Sequence, residues 1–433
     1  MPATLTTDAR WPVRYAPGEL LAGLLRRRGA VVDAGLGQHG YSYLLGLQAN
    51  RFIFANSDHF SWREAFQALV PVDGPTALIV SDGADHSRRR ALVQPGLRPR
   101  QVRHYTPTMV ANADAVIDRW RPGETVDAYG QFRAAIRRSA IESLFGPRMA
   151  RHADILGEAL QPLIDLTDQL PQRSAWQRRL GTPAWRRAMA ARGRVDEIVY
   201  AEIAAVDPAE NHLLARLVAA RGPDGAALSV DEVRDQVVSL IAAGYETTSA
   251  AMGWAVYALL AVPDAWESAR AEVHDALGDR TPTAADLAEL TYLNGVVLET
   301  LRLCPPAVVS ARKVIDDLEF DGRRIPAGRT VIFSPYVTHR LAEVWPEPLR
   351  FLPQRWDPGS PLYAKPAPHE FLPFGGGSHR CVGAGFATTE LTAMLARLVA
   401  RTSLALPAQR ISARGYAALR PAHGLRAVVT AVS

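Results

Sequence analysis

The chain is poor in residues that carry redox and surface chemistry. Among 433 residues there are two cysteines, Cys304 and Cys381, and lysine occurs only as Lys313 and Lys365. Two thiols cannot make a disulfide framework, and such a composition suits a reducing cytoplasm. Long apolar runs are missing too. The uncharged stretch TTSAAMGWAVYALLAVP carries Thr, Ser and Gly and follows Glu246, so it reads as a buried core helix and not as a membrane span. The start, MPATLTTDARWPVRYAPGELLAGLLRRRGA, is too broken by charge and proline for a signal peptide or anchor. There are no repeats, no low-complexity tracts and no linker, so 1–433 is expected to form one domain. The net charge of +5 is small and mostly arginine. No zinc-finger or recognition-helix pattern accompanies it, so nucleic acid is not an expected partner.

What is present is helix. Apolar residues at three-to-four spacing predict helices over residues 107–120, 131–144, 158–170, 184–205, 229–262, 264–277, 284–302 and 383–401. Strand-like pieces are few: YSYLLGL with RFIFAN over 41–56, a hairpin over 318–334 turning at Asp321-Gly322, and the C-terminal LRAVVTAV. The fold class is mainly α with a small β region. Ser229 to Glu232 reads as a capping box at the head of the longest helix. A helix of that length spans roughly 50 Å, enough to cross a domain and carry chemistry at its midpoint.

The segment FGGGSHRCVG, Phe374 to Gly383, presents one thiol at a helix start. Three chemistries compete for Cys381. A nucleophile needs a base, and His379 is near in sequence but poorly placed by that fact alone. A zinc site needs three further ligands, and no cluster of Cys or His lies nearby. A haem site needs one thiolate and a flat apolar pocket. The glycines allow positive φ, so the loop can turn back and aim N–H groups at the sulfur. The helix N-terminus favours its negative charge.

The segment resembles the Phe-Gly-x-Gly-x-His-x-Cys-x-Gly haem signature of the cytochrome P450 family, met at Phe374, Gly375, Gly377, His379, Cys381 and Gly383. AAGYETTS on the long helix is similar to that family's Ala-Gly-x-Glu/Asp-Thr-Thr pattern, as Ala243, Gly244, Glu246, Thr247 and Thr248. ETLR supplies Glu299 and Arg302, and FLPQRW supplies Arg355, as a buried structural network. Gln354 and Trp356 depart from the commonest form, and neither belongs to the triad of Glu299, Arg302 and Arg355. His86 and Arg90 of HSRRR, with Arg312 and His379, resemble the partners of the haem propionates. Within the family the chain looks closest to an actinobacterial, mycobacterial-type subfamily.

The resemblance implies a triangular, mostly α single domain with small β-sheets. Haem b (iron protoporphyrin IX) would lie between the long helix and the cysteine helix, with Cys381 on the iron. It implies monooxygenation of a lipophilic substrate, with Glu246 and Thr247 delivering protons and Ala243 and Gly244 giving room above the ring. Electrons would come from NAD(P)H through a separate reductase and ferredoxin, docking near Arg88, Arg89, Arg98, Arg100 and Arg103. By family position the substrate pocket draws on Phe66, Leu69, Val72, Leu240, Val308, Val309, Tyr416 and Leu419. An arginine-rich lid with Trp176, Arg178, Arg179, Trp185, Arg186 and Arg187 could take an acidic group or an acidic carrier protein bearing a polyketide, lipid or other secondary-metabolite chain. The expected state is a cytoplasmic monomer without a membrane anchor. Two alternatives stay open: a peroxide-driven peroxygenase, which would usually lack the acid–alcohol pair, and a non-catalytic haem carrier, which needs none.

Overall fold

Ser229 starts the element on which the molecule is hung. In the computed structural model, which describes residues 11–169, 171–221 and 227–433, its hydroxyl accepts from the Glu232 N–H at 3.1 Å. The Glu232 carboxylate accepts from the Ser229 N–H at 3.2 Å. The expected capping box is thus closed, and it launches a helix of 32 residues, Val230–Ala261, roughly 48 Å long. From Thr248 to Leu259 every side chain is buried. A helix apolar on all sides belongs in the interior. Helices Ala128–Ala150, Pro183–Ala205, Thr291–Leu303 and Ala384–Arg401 pack around it.

The small sheets lie in separate groups. Five strands run in the order Val31–Ala34, Tyr41–Leu44, Thr330–Phe333, Ser310–Val314, Phe60–Ser61. Tyr41–Leu44 lies parallel to Thr330–Phe333, and the other pairings are antiparallel. The predicted hairpin joins Leu318–Phe320 to Arg323–Ile325. Its turn residues Asp321 and Gly322 both have positive φ, 54° and 68°, the geometry that matches strand twist. The C-terminal strand Arg426–Val432 pairs with Thr125–Asp127 and Thr402–Ala405.

Several boundaries differ from the sequence reading. Only Tyr41–Leu44 of residues 41–56 is strand; Leu47–Ala55 is a helix. Ala49, Asn50 and Ile53 share its buried face, and Asn50 Nδ2 donates to Thr338 Oγ1 at 2.9 Å, a spacing that period-two alternation cannot give. The helix expected over 284–302 is two, Ala284–Glu289 and Thr291–Leu303, because Leu290 leaves helical geometry at ψ 77°. The helix expected from Pro107 begins eight residues earlier, as Pro99–Ile117, and keeps Pro107 inside it. The one expected over 158–170 runs Ala153–Thr167; Leu170 lies outside the described residues, as do the first ten. Helix Ala16–Arg28 and strand Ser310–Val314 were not anticipated, and helix Gly83–Val93 carries His86 and Arg90 four residues apart.

Candidate active site

The cysteine loop is built by two glycines and closed by one backbone bond. Gly375 and Gly377 have φ of 64° and 67°, which a side chain would resist. The Cys381 N–H donates to Phe374 O at 2.9 Å, and the Arg380 N–H to Gly377 O at 3.1 Å. The helix Ala384–Arg401 follows immediately, with Gly383 at its head. Burial pushes the Cys381 thiol up, and the Gly383 amide, Arg90 and Arg380 pull it the other way. Yet Cys381 is solvent-accessible. The residue is thus crowded by protein yet open to solvent, as a group lining an open site would be. A Cβ on Gly385 would meet nothing within 4 Å, and one on Gly383 only the Cys381 sulfur, 4.0 Å away.

Beneath the loop lies a buried charge network. Glu299 pairs with Arg302 through Oε1–Nη2 at 2.7 Å and Oε2–Nε at 2.9 Å. Arg355 Nε donates to Glu299 Oε1 at 3.2 Å. Glu299 and Arg302 are 0% exposed, so the pair holds only because its remaining valences are filled. Arg302 donates further to the carbonyls of His339, Pro348 and Arg350. Burial opposes the Glu299 charge, but Arg302 and Arg355 outweigh it and hold its carboxyl below the ordinary range. Trp356 belongs here after all: its Nε1–H donates to Glu299 Oε2 at 3.0 Å. His339, which the sequence reading passed over, joins the network to the loop. Its Nδ1 lies 3.0 Å from Arg302 O, and its Nε2 accepts from the Leu372 N–H at 2.8 Å. That pattern requires the neutral ring, and burial first, then Arg302, hold its pKa well below the usual value.

The central helix opens at its midpoint. Leu240, Gly244 and Thr247 are partly exposed and Ala243 is exposed, in a helix otherwise largely buried. These residues lie at three-to-four spacing on one stripe. A Cβ added to Gly244 would meet nothing within 4 Å. The Thr247 hydroxyl donates back to Ala243 O at 2.8 Å, as the sequence suggested. Glu246 is buried and does not stand alone. Arg133 Nε donates to its Oε1 at 2.8 Å, and Arg133 Nη2 pairs with it as well. Arg133 Nη2 also donates to Gln161 Oε1 at 2.7 Å. Burial works against the Arg133 charge, yet Glu246 and Tyr245 hold the guanidinium above its usual range. Arg133, on the neighbouring helix Ala128–Ala150, had no signal in the sequence.

At the edge of the cleft the predicted basic residues gather. The rings of His86 and His379 lie 4.0 Å apart, and Arg90 Nη1 donates to Arg380 O at 2.9 Å. Arg312 is buried and donates to Ser310 Oγ at 3.2 Å and Ala311 O at 2.7 Å, neither an anion. Burial pushes its pKa down to about 9, with Asp82 the charge that resists. Burial, then His86 and Arg312, push His379 down to about 3. Asp82 stands 3.5 Å from His379. A buried cluster this rich in donors fits a ligand with two carboxylates. Haem has two carboxylates, a flat apolar face for the open stripe, and a metal for an accessible thiolate.

The pocket residues divide. Phe66, Leu69, Leu240 and Val309 keep partial exposure, whereas Val72, Val308 and Leu419 are packed in the main core. Tyr416 is exposed, and its N–H donates to Asp168 Oδ1 at 2.6 Å. The basic patch also divides. Arg98, Arg100, Arg103 and Arg380 are exposed. Arg89 is buried against Ser81, and Arg88 pairs with Glu232, so neither offers a free charge.

Comparison with known proteins agrees with this geometry. The family model described as Cytochrome P450 matches residues 16–414. A Mycobacterium tuberculosis protein named as cytochrome P450 139 is 60% identical over 419 residues, 95% of this chain and 97% of that one. Cyclooctat-9-en-7-ol 5-monooxygenase of Streptomyces melanosporofaciens is 32% identical over 336 residues, 76% of this chain and 72% of that one. The solved structure of retinoic-acid-bound cyanobacterial CYP120A1 superposes with a TM-score of 0.86 at 26% identity, covering 95% of this chain and 93% of that one.

Proposed function

This chain belongs to the cytochrome P450 family and is a monooxygenase of that family, and from that premise we propose that it oxygenates a lipophilic organic substrate with electrons from NAD(P)H, passed through a separate reductase and ferredoxin. The observation that carries the reading is an accessible thiol, Cys381, together with an open stripe on an otherwise largely buried helix. Haem b, when bound, supplies the metal centre for dioxygen activation, with Cys381 as thiolate ligand and His86, Arg90, Arg312 and His379 on its carboxylates. Phe374 and Gly375 shape the loop, and Gly383 offers an amide to the sulfur.

The chain's own part in turnover is proton delivery. Thr247 has a hydroxyl on the open stripe, held back on Ala243 O until it turns outward. Glu246 sits one residue before it and can exchange protons with water once it leaves Arg133. Phe66, Leu69, Leu240 and Val309 give the cavity an apolar wall. The relatives point the same way: one is named for a cyclic alkenol and another was solved with retinoic acid. Ferredoxin docking is assigned to Arg98, Arg100, Arg103 and Arg380, where an acidic partner finds uncompensated charge. Reversing these charges should slow reduction and flatten its salt dependence.

The lid supports a carrier-bound or acidic substrate. Trp176, Arg178, Arg179, Arg186 and Arg187 are all exposed, and Trp185 packs partly on the core. Alanine at the four arginines should weaken carrier-bound substrate more than free substrate; equal effects would refute this. The cell interior suits the two free cysteines, and a monomer working as one domain is the state that sedimentation should find.

The deciding experiment is the spectrum of the reduced protein under carbon monoxide. A Soret band at the red position of thiolate-ligated haem, lost in Cys381→His, supports the proposal. A histidine-type band, or no haem, overturns it. Turnover with peroxide alone, unaffected by Glu246→Gln, would favour the peroxygenase reading instead.

A further inference from the structure

The carboxylate end of the site is built on an indole. Trp62 opens the short helix Trp62–Ala65. Its ring N–H donates to Ile79 O at 2.7 Å and its backbone N–H to Asp82 Oδ1 at 3.1 Å, so the ring cannot turn freely. The His379 ring lies parallel to it, 1° between planes and 4.5 Å between centroids. The Arg312 guanidinium carbon stands 4.0 Å from its ring centroid. Phe66 stacks on it at 4.5 Å.

Two groups from distant parts of the chain therefore meet on one side chain. His379 comes from the cysteine loop and Arg312 from the strand Ser310–Val314. Strand pairing brings Trp62 to them, because Phe60 and Ser61 lie opposite Val314 and Lys313. An aromatic face attracts a guanidinium without neutralising it. A carboxylate in that place would satisfy Arg312 and repel the ligand; an aliphatic side chain would fill space without attracting the charge. Asp82 acts on Arg312 only at a distance, its oxygens taken by Ser61 and the Trp62 and Arg63 amides, so the indole holds the arginine without an ion pair.

We propose that Trp62 is a positioning residue for the cofactor: its ring keeps His379 and Arg312 in register to receive the two carboxylates of haem. The idea rests on the haem reading above, and its test is separate from the carbon monoxide spectrum that decides that reading.

The holoenzyme is loaded with haem or with haem dimethyl ester, which lacks the two charges, and the rate of transfer to apomyoglobin is measured. The native protein should retain haem longer than the ester. Trp62→Leu should shrink that ratio about tenfold, the scale of a desolvated cation–aromatic contact, and Trp62→Phe should restore most of it. Both variants should keep the thiolate-type spectrum, because Cys381 is untouched. An unchanged ratio in Trp62→Leu, with only a lower melting point, would overturn the proposal. If Trp62→Leu does not fold, haemin is titrated into the apo forms of the native protein and Trp62→Phe. The difference in their indole emission should fall on binding, and a constant difference would overturn it equally.

Discussion

The two sides of the cofactor cleft are held by charge in opposite ways. Below the cysteine loop, Glu299 and Arg302 are fully buried, and the bonds beyond their own pair go to Arg355, to backbone and to an indole. Across the cleft, Glu246 is held by Arg133, whose side chain is 22% exposed and shares its bonds with Gln161. The first network has no slack: moving one member strands another in the interior. The second has an exchangeable end, reached by solvent. A thiolate ligand needs a fixed loop, and a proton donor needs a group that can let go. On the proposed reading, the chain places rigidity where the metal ligand would sit and adaptability where protons would pass.

The largest effect should come from breaking the rigid side. Glu299→Ala leaves Arg302 and Arg355 buried without their anion, at a cost of about 3–5 kcal/mol. Soluble yield, haem content and melting point should fall together; a melting point close to native would erase the contrast. Glu246→Gln should act differently. Product formation should drop by about 10²-fold, while reductant consumption continues and the melting point falls less than in Glu299→Ala. Equal losses of stability in both variants would show that the two sides are built alike.

A third effect tests the join between the sides. Glu390, on the cysteine helix, is 0% exposed and accepts from Ser139 Oγ at 2.6 Å, on the helix that carries Arg133. Burial raises its pKa to about 8 although Ser139 opposes the shift. Above the ordinary carboxylate value the unfolded chain releases this proton and the folded chain does not. Its contribution is thus fully present at low pH and lost as pH rises through about 8. His339 has the reverse sign: its depressed pKa keeps stability above the ordinary imidazole value and loses it as pH falls below that. Glu390→Gln should flatten the alkaline limb of melting point against pH and leave the acid limb alone. A parallel shift of the whole curve would remove Glu390 from the account.

The same contrast governs what the sequence reveals. The rigid side was largely legible, because its backbone demands leave marks: glycines where φ is positive, Glu and Arg three apart on one helix, a proline pair after Cys304. Even there the bond from Trp356 to Glu299 and the part of His339 were not legible, since an indole or imidazole that bonds across 57 or 37 residues has no local pattern. On the adaptable side only Glu246 and Thr247 were legible. Arg133, Trp62 and Asp168 act through side-chain contacts between distant elements, and neither periodicity nor capping chemistry marks them. The helix Leu47–Ala55 was missed for a related reason: its β-rich letters suggest a strand, and burial of one helical face overrides them.

The smallest effect lies at the turn near Tyr416. Asp168 caps the helix Ala153–Thr167 and reaches across to the turn near Tyr416. It accepts from the N–H groups of Tyr416 at 2.6 Å and Ala417 at 3.1 Å and pairs with Arg420 at 2.9 Å. The far side of that turn is tied down by Trp254 Nε1, which donates to Leu419 O at 2.8 Å, and by the Leu419 N–H on Pro306 O. One edge of the turn therefore belongs to the rigid core and the other to the end of the helix Ala153–Thr167. Asp168→Asn keeps an oxygen for both amides but replaces the acceptor and the charge facing Arg420 with an NH2 group. A lipophilic azole, followed by its Soret shift, should then leave about fivefold faster, with little change in the spectrum itself. Arg420→Gln should do the same, and the double variant should add little, because both remove one latch. Additive effects would mean that Asp168 and Arg420 hold the turn separately, and the boundary between the two sides would have to be drawn elsewhere.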